Sequence, residues 1–167
     1  MVATLARRCC VAVGLSLTLA ACDGRSDRAA APETHSSATA VRAAEFDPGP
    51  VKTAAEYLLE PELVAADFGR GELLALACAA CHKFRAGEGT LIGPNLHGMF
   101  GRRAASVAGF AYSAALAQSG LVWTPASLDA WLADPAGFVT GTTMTFTGYR
   151  SAEDRRDLIA YLLRATE

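Results

Sequence analysis

The stretch CAACH, from Cys78 to His82, is the strongest indication of the chemistry of this protein, because it places two thiols and an imidazole within five residues. A zinc site needs about four ligands, and the chain has no second Cys-x-x-Cys pair and no His-x₃₋₅-His pattern. A thiol redox pair would follow a strand in a βαβ unit. The segment ELLALACAACHKF instead has the apolar spacing of a helix, with Leu73, Leu74 and Leu76 ahead of the first cysteine. Zinc binding and thiol redox chemistry are therefore both disfavoured.

A third chemistry fits the same five residues. Cys-x-x-Cys-His is the signature of covalent c-type haem attachment. Cys78 and Cys81 would form thioethers with the two vinyl groups along one haem edge, and His82 would place its imidazole under the iron. The motif predicts one covalently bound haem c as the cofactor.

The other face of the iron needs its own ligand, and a methionine thioether is a common partner in electron-transfer haems. Met1 lies in a segment expected to be removed, and Met99 follows His82 too closely for a short loop to reach the opposite face. Met144, in TGTTMTFTG, has enough preceding chain to wrap around the cofactor. We therefore predict Met144 as the second metal ligand, with ligation by His97 as the weaker alternative.

The N-terminus, MVATLARRCCVAVGLSLTLAAC, resembles an export signal. Arg7 and Arg8 precede an apolar run, Cys9 to Ala21, that is too short to cross a hydrocarbon core of about 30 Å comfortably. LAAC, ending at Cys22, is similar to the lipobox of bacterial lipoproteins, which predicts a signal peptide over residues 1–21 and lipid attachment at Cys22. The alternatives are an uncleaved anchor and ordinary cleavage that leaves a soluble protein.

Residues 22–66 are rich in alanine, serine, proline and charge, and they predict a disordered linker with a helical turn around Tyr57 to Glu60. A folded domain is expected over residues 67–167, where nine acidic and nine basic residues balance. No cationic stripe is available to neutralise phosphates, so nucleic-acid binding is not expected.

From Cys78 to the C-terminus the chain resembles class I cytochrome c of the mitochondrial and alphaproteobacterial type. GPNLHGMFGR is similar to the family loop in which a proline carbonyl, that of Pro94 here, accepts a hydrogen bond from the ligating histidine. The resemblance also implies an aromatic beside the haem edge, Phe146, and three partners of the haem propionates, namely Arg102, Tyr112 and Trp123. DLIAYLLRAT is similar to the family's last helix, which packs across the first one through Leu158 and Tyr161.

The resemblance implies a small all-α haem domain with crossing terminal helices. Thr124 with Pro125 predicts a helix start, Asp134 with Pro135 its end, and Ser151 the cap of a last helix. The family's crossing glycine is displaced here, with Gly69 and Gly71 as candidates.

The function implied is electron transfer and not enzymatic turnover of a small-molecule substrate. The expected donor is a quinol–cytochrome c oxidoreductase, and the acceptor a terminal oxidase or a photosynthetic reaction centre. The expected location is the periplasmic side of the bacterial inner membrane, lipid-anchored, with a soluble periplasmic form as the alternative. A haem-based ligand sensor or peroxidase-like protein with a labile Met144 is the alternative function.

One departure from the family concerns charge. Mitochondrial members carry lysines around the exposed haem edge, where this chain has Ala136, Gly137 and Thr143. Electrostatic steering is therefore not expected, and a tether at Cys22 would replace it by raising the local concentration of the protein beside its partners.

Overall fold

The computed structural model describes residues 43–167. The predicted signal segment, Cys22 and the first part of the predicted linker lie outside the described residues. A 3₁₀ turn over Ala43–Glu45 is followed by seven α-helices, which are α1 (Ala54–Tyr57), α2 (Pro61–Val64), α3 (Phe68–Ala79), α4 (Ala114–Gln118), α5 (Pro125–Ala133), α6 (Pro135–Phe138) and α7 (Ala152–Ala165). Within this part of the chain the only strand-like pairing is an isolated bridge between Arg103 and Val122. The all-α prediction is confirmed.

The crossing of α3 and α7 forms the centre of the fold. The Asp67 side chain caps α3 by accepting a hydrogen bond from the Arg70 N–H at 3.0 Å, and Ser151 caps α7 as predicted. Gly71 is buried where the helices meet, and the backbone of Asp157 lies against it. Gly71 is therefore the crossing glycine, because a side chain there would keep the helices apart.

Helix α5 begins as the sequence predicts. Thr124 and Ser127 cap each other's backbone N–H groups, and Pro125 occupies the first helical position, where its missing N–H costs nothing. Asp134 ends this helix, but the chain turns at once into the short α6, which the Asp134 side chain caps through the Gly137 N–H. Asp134 with Pro135 therefore ends α5 and also begins α6.

Residues 43–66, here called the N-terminal strap, pack against the helical domain. Tyr57 and Leu63 are only 4% and 6% exposed, and α2 contacts α7. The Tyr57 hydroxyl donates to the Pro50 carbonyl at 2.9 Å, and the Thr124 hydroxyl donates to the Pro48 carbonyl at 2.9 Å. The prediction of disorder up to residue 66 is thus wrong for the strap, because Tyr57 and Leu63 are buried in the core and Pro48 is bonded to a residue far along the chain. Composition alone does not reveal such partners.

Among the helices between residues 43 and 167, none is long and apolar enough to cross a membrane.

Candidate cofactor site

A cavity of about 260 Å³ opens at the end of α3 and is walled by α5, α7 and the loops that contain Pro94, Tyr112 and Met144. Its lining is mostly apolar. The structure brings all nine sequence-predicted haem-site residues to this cavity: Cys78, Cys81, His82, Pro94, Arg102, Tyr112, Trp123, Met144 and Phe146. His97 is not among the lining residues, whereas Met99 is.

Cys78 lies in the last turn of α3, and Cys81 and His82 follow just after the end of this helix. The N–H groups of Cys81 and His82 both donate to the Cys78 carbonyl, at 3.0 and 2.9 Å, which closes the motif into a tight turn. Neither Cys78 nor Cys81 forms a disulfide. Burial raises the pKa of the Cys78 thiol to about 11, so this side chain is an uncharged thiol at neutral pH. Both thiols are free to form thioethers.

His82 is held in one orientation by the loop that follows it. Its Nδ1–H donates to the Pro94 carbonyl oxygen at 2.7 Å, the contact that the family resemblance implies. A carbonyl can only accept, so Nδ1 carries the proton and the lone pair of Nε2 is available to a metal. Burial lowers the pKa of His82, and the hydrogen bond to Pro94 opposes that effect. The imidazole is thereby kept neutral, which is the form that binds iron.

Gly93 makes this orientation possible. A Cβ at Gly93 would overlap the Cε1 and Nδ1 atoms of the His82 ring. The Gly93 N–H donates to the Cys81 carbonyl at 2.8 Å, so the loop is fastened to the motif on both sides of the imidazole. Gly93 is not among the residues predicted from the sequence, although its place directly before Pro94 is a signal.

Arg102 and Tyr112 are two of the polar side chains that line the mostly apolar cavity. The Arg102 guanidinium donates to the carbonyls of His97 and Asn95, at 2.9 and 3.2 Å, which fixes its position. The Tyr112 hydroxyl oxygen accepts from the Val107 N–H at 3.3 Å, so its own proton remains free to be donated. Burial raises the pKa of Tyr112, which keeps this hydroxyl protonated. A cation and an O–H donor at one cavity suit the carboxylates of a haem.

Met144 approaches the cavity on the loop between α6 and α7. Its backbone N–H donates to the Thr142 hydroxyl at 3.3 Å. Further along this loop the rings of Phe146 and Tyr149 pack edge to face, with centroids 5.0 Å apart, and the Tyr149 hydroxyl donates to the Leu74 carbonyl of α3 at 3.0 Å. The methionine loop is therefore fastened to the helix that carries the cysteines.

Several lining residues were not singled out for this role by sequence. They are aliphatic or sulfur-containing side chains that complete the wall, namely Leu96, Met99, Leu128, Leu132 and Leu162. Nothing in their local pattern distinguishes them from ordinary core residues. Leu116 also lines the cavity.

The residues present fit a haem. The cavity offers two unpaired thiols on one helical turn, an imidazole whose Nε2 is free, a thioether, and a largely apolar wall with Arg102 and Tyr112 as polar groups. Fold and site together define a small helical haem protein.

Comparison with known proteins agrees with this class. The family model described as Cytochrome c matches residues 69–166. Cytochrome c from Cochliobolus lunatus is 44% identical over 95 residues, which are 57% of this chain and 88% of that protein. Cytochrome c from Arabidopsis thaliana is also 44% identical over 95 residues, covering 57% of this chain and 85% of that protein. Among solved structures, cytochrome cH from Methylobacterium extorquens is 43% identical with a TM-score of 0.54, and the match covers 58% of this chain and 97% of that one.

The chain belongs to the cytochrome c family, whose members bind one covalent haem c and transfer electrons.

Proposed function

We propose that this protein carries single electrons on a haem joined to Cys78 and Cys81 and ligated by His82 and Met144. The observation that carries the proposal is the convergence of these four side chains on one apolar cavity, with the free Nε2 of His82 set by the Pro94 hydrogen bond. When bound, such a haem supplies a one-electron couple whose potential depends on its ligands and burial.

Each part of the site has a role in this proposal. His82 is positioned by Pro94 and Gly93, and Met144 is presented by a loop that Tyr149 ties to α3. Arg102, Tyr112 and Trp123 would bind the propionates, and Phe146 would cover the haem edge. With His82 and Met144 both bound to the iron, no protein-free position would remain for a substrate, so the protein would change oxidation state without bond chemistry.

Met144 is tested against Met99, the other methionine at the cavity. Met99 is 3% exposed within the core, whereas Met144 is half-buried on its loop. In holoprotein, Met144→Ala should create a site that binds carbon monoxide and lower the reduction potential, while Met99→Leu should leave both properties unchanged. The reverse result would assign the ligand to Met99. Rapid carbon monoxide binding by the unaltered protein at neutral pH would favour the ligand-sensor alternative.

The cellular setting is proposed from the N-terminal sequence. A lipid on Cys22 would anchor the protein on the periplasmic side of the inner membrane. There it would accept electrons from a quinol–cytochrome c oxidoreductase and pass them to a terminal oxidase or reaction centre. Two or more acyl chains give firm attachment where one does not.

The anchor is tested by mass spectrometry of the mature N-terminus together with membrane fractionation. Cys22→Ser should release the protein from the membrane, and Cys10→Ser, in the segment expected to be removed, should leave it attached. An unmodified Cys22 in a protein found in the soluble periplasmic fraction would refute lipid attachment.

A further inference from the structure

The strap lies outside the part of the chain that matches the family model, which begins at residue 69. It is nevertheless packed into the core, where Ala43, Tyr57 and Leu63 are all buried. None of residues 43–66 lines the cavity. Any effect of the strap on the cofactor must therefore pass through the elements that the strap touches.

Two segments that the strap touches carry part of the cavity wall. We call residues 101–104 and 121–124 the paired segments, because their backbones are bonded to each other. The Gly101 N–H donates to the Trp123 carbonyl at 2.7 Å, and the Trp123 N–H donates to the Arg102 carbonyl at 3.0 Å. Arg102 and Trp123 line the cavity. A displacement of the paired segments would therefore move two of the side chains proposed to bind the propionates.

The strap contacts both paired segments from the side away from the cavity. The Pro48 carbonyl accepts the hydrogen bond from the Thr124 hydroxyl at 2.9 Å, and Thr124 is only 1% exposed. The Cγ1 atom of Val51 lies so close to Gly101 that a Cβ on this glycine would be 2.9 Å from it. Because Pro48 and Val51 are three residues apart, one short stretch of the strap supports the two segments together.

A third contact supports the helix that leads to Met144. The Phe46 ring packs edge to face on the Phe138 ring of α6, with centroids 5.4 Å apart. The methionine loop starts directly after this helix, where the Thr142 N–H donates to the Val139 carbonyl at 3.0 Å. The strap thus lies against the base of the methionine loop as well as against the paired segments.

Tyr57 holds this stretch of the strap in place. Its hydroxyl donates to the Pro50 carbonyl at 2.9 Å and accepts from the Lys52 N–H at 3.1 Å. These two bonds lie on either side of Val51, and the Tyr57 side chain that makes them is buried. The part of the strap that contacts the paired segments is therefore fixed to the core.

We propose that the strap is a positioning element of the cofactor site, which holds Arg102 and Trp123 at the haem propionates, keeps water out of that end of the cavity and thereby raises the reduction potential. The proposal deepens the proposed electron-transfer function and rests on it. Water beside a haem favours the oxidised iron, because the oxidised state carries one more positive charge. A nearby guanidinium disfavours that state for the same electrostatic reason. Loosening the strap changes both conditions in the direction that lowers the potential.

The test separates this role from a simple gain in stability. Phe46→Ala with Val51→Ala removes strap side chains at α6 and at the paired segments, and it alters no residue that lines the cavity. Leu63→Ala is the matched control, because Leu63 is 6% exposed on α2, which contacts α7. Phe46→Tyr keeps the ring and should behave like the unaltered protein.

Two properties of the full-length holoprotein are measured, with urea unfolding as a common scale of stability. The first is the reduction potential, from the equilibrium with ferricyanide and ferrocyanide. The second is hydrogen exchange at the N–H groups of Gly101 and Trp123, relative to the core N–H groups of α7. This ratio reports opening of the paired segments separately from global unfolding.

We expect Phe46→Ala with Val51→Ala to lower the equilibrium constant for reduction at least about threefold, which is roughly 30 mV at about 59 mV per tenfold. The relative exchange at Gly101 and Trp123 should become at least about fivefold faster. Leu63→Ala should lower the urea midpoint at least as much, yet leave the equilibrium constant and the relative exchange within about 1.5-fold.

A reduction potential that stays as in the unaltered protein, or that falls equally in Leu63→Ala, would overturn the proposal, because the strap would then act through stability alone. Unchanged relative exchange at the paired segments would overturn it as well. An unaltered holoprotein that ascorbate does not reduce reversibly would instead contradict the proposed function, and the exchange measurement would still decide whether the strap holds the paired segments.

Discussion

The carbonyl oxygen of Asp157 in α7 lies against the Cα of Gly71 in α3, so closely that a Cβ on Gly71 would overlap this oxygen and the Cβ of Tyr161. The contact joins residues that are distant in sequence, and it fixes the depth at which the two helices cross. Since α3 ends in the haem motif, the same contact fixes where Cys78 and His82 stand relative to the rest of the cavity.

Gly71→Ala should lower the free energy of unfolding of the holoprotein by about 3 kcal/mol, because neither neighbouring backbone can yield without separating the helices. Gly69→Ala is the control in the same helix. A Cβ there would meet only the Asp67 carboxylate at 3.4 Å, so the gain in helix propensity should leave stability unchanged or raised by about 0.5–1 kcal/mol. Urea unfolding measures both, and equal effects would mean that the close approach at Gly71 does not control the crossing.

Gly93→Ala should push the His82 ring away from its hydrogen bond to Pro94. We expect an altered Soret spectrum and a fall in unfolding free energy of about 1–3 kcal/mol. Gly98→Ala serves as the control, because no atom lies within 4 Å of its Cβ position although its φ of +61° strains an alanine. Gly98→Ala should therefore cost stability without changing the spectrum. A normal spectrum in Gly93→Ala would show that the ring does not depend on this glycine.

Tyr57→Ala should destabilise the domain by about 3 kcal/mol, because its buried ring and its hydrogen bond to the Pro50 carbonyl are both lost. Leu59→Ala, two residues on and 78% exposed, should stay within about 0.5 kcal/mol. Thermal unfolding of the holoprotein distinguishes them. If both variants unfold like the unaltered protein, the strap is not part of the cooperative unit.

Asp157→Asn should cost roughly 2 kcal/mol, because the Asp157 carboxylate is 1% exposed and accepts from the Asp67 N–H at 3.1 Å and from Arg156 at 2.7 Å. The neutral amide weakens these charge-assisted bonds. Asp129→Asn is the comparison, since its ion pair with Arg155 involves a carboxylate side chain that is 44% exposed and should be worth about 1 kcal/mol or less. Chemical denaturation would contradict the argument if Asp129→Asn cost more than Asp157→Asn.

Local patterns predicted much of the fold. The caps at Thr124 and Ser151, and the haem motif at the end of a helix, depend on residues within a few positions of one another, so they can be read directly from the chain. The resemblance added the Pro94 contact to His82 and the residues that the structure brings to one cavity. Whether His82 and Met144 ligate the iron stays a prediction.

The sequence by itself determined the all-α class and the candidate haem residues, because the haem motif, the helix caps and the resemblance to the family all lie in the order of the residues. Only the tertiary structure decided which glycine lies at the crossing, that the strap is folded, and that one face of α3 stays exposed at the cavity rim. The physical reason is that each of these depends on which distant residues come into contact. Tyr57 and Leu63 are buried, while Leu73 and Leu76 on a similarly apolar segment are not, since packing partners are supplied by the folded chain and not by neighbours in sequence.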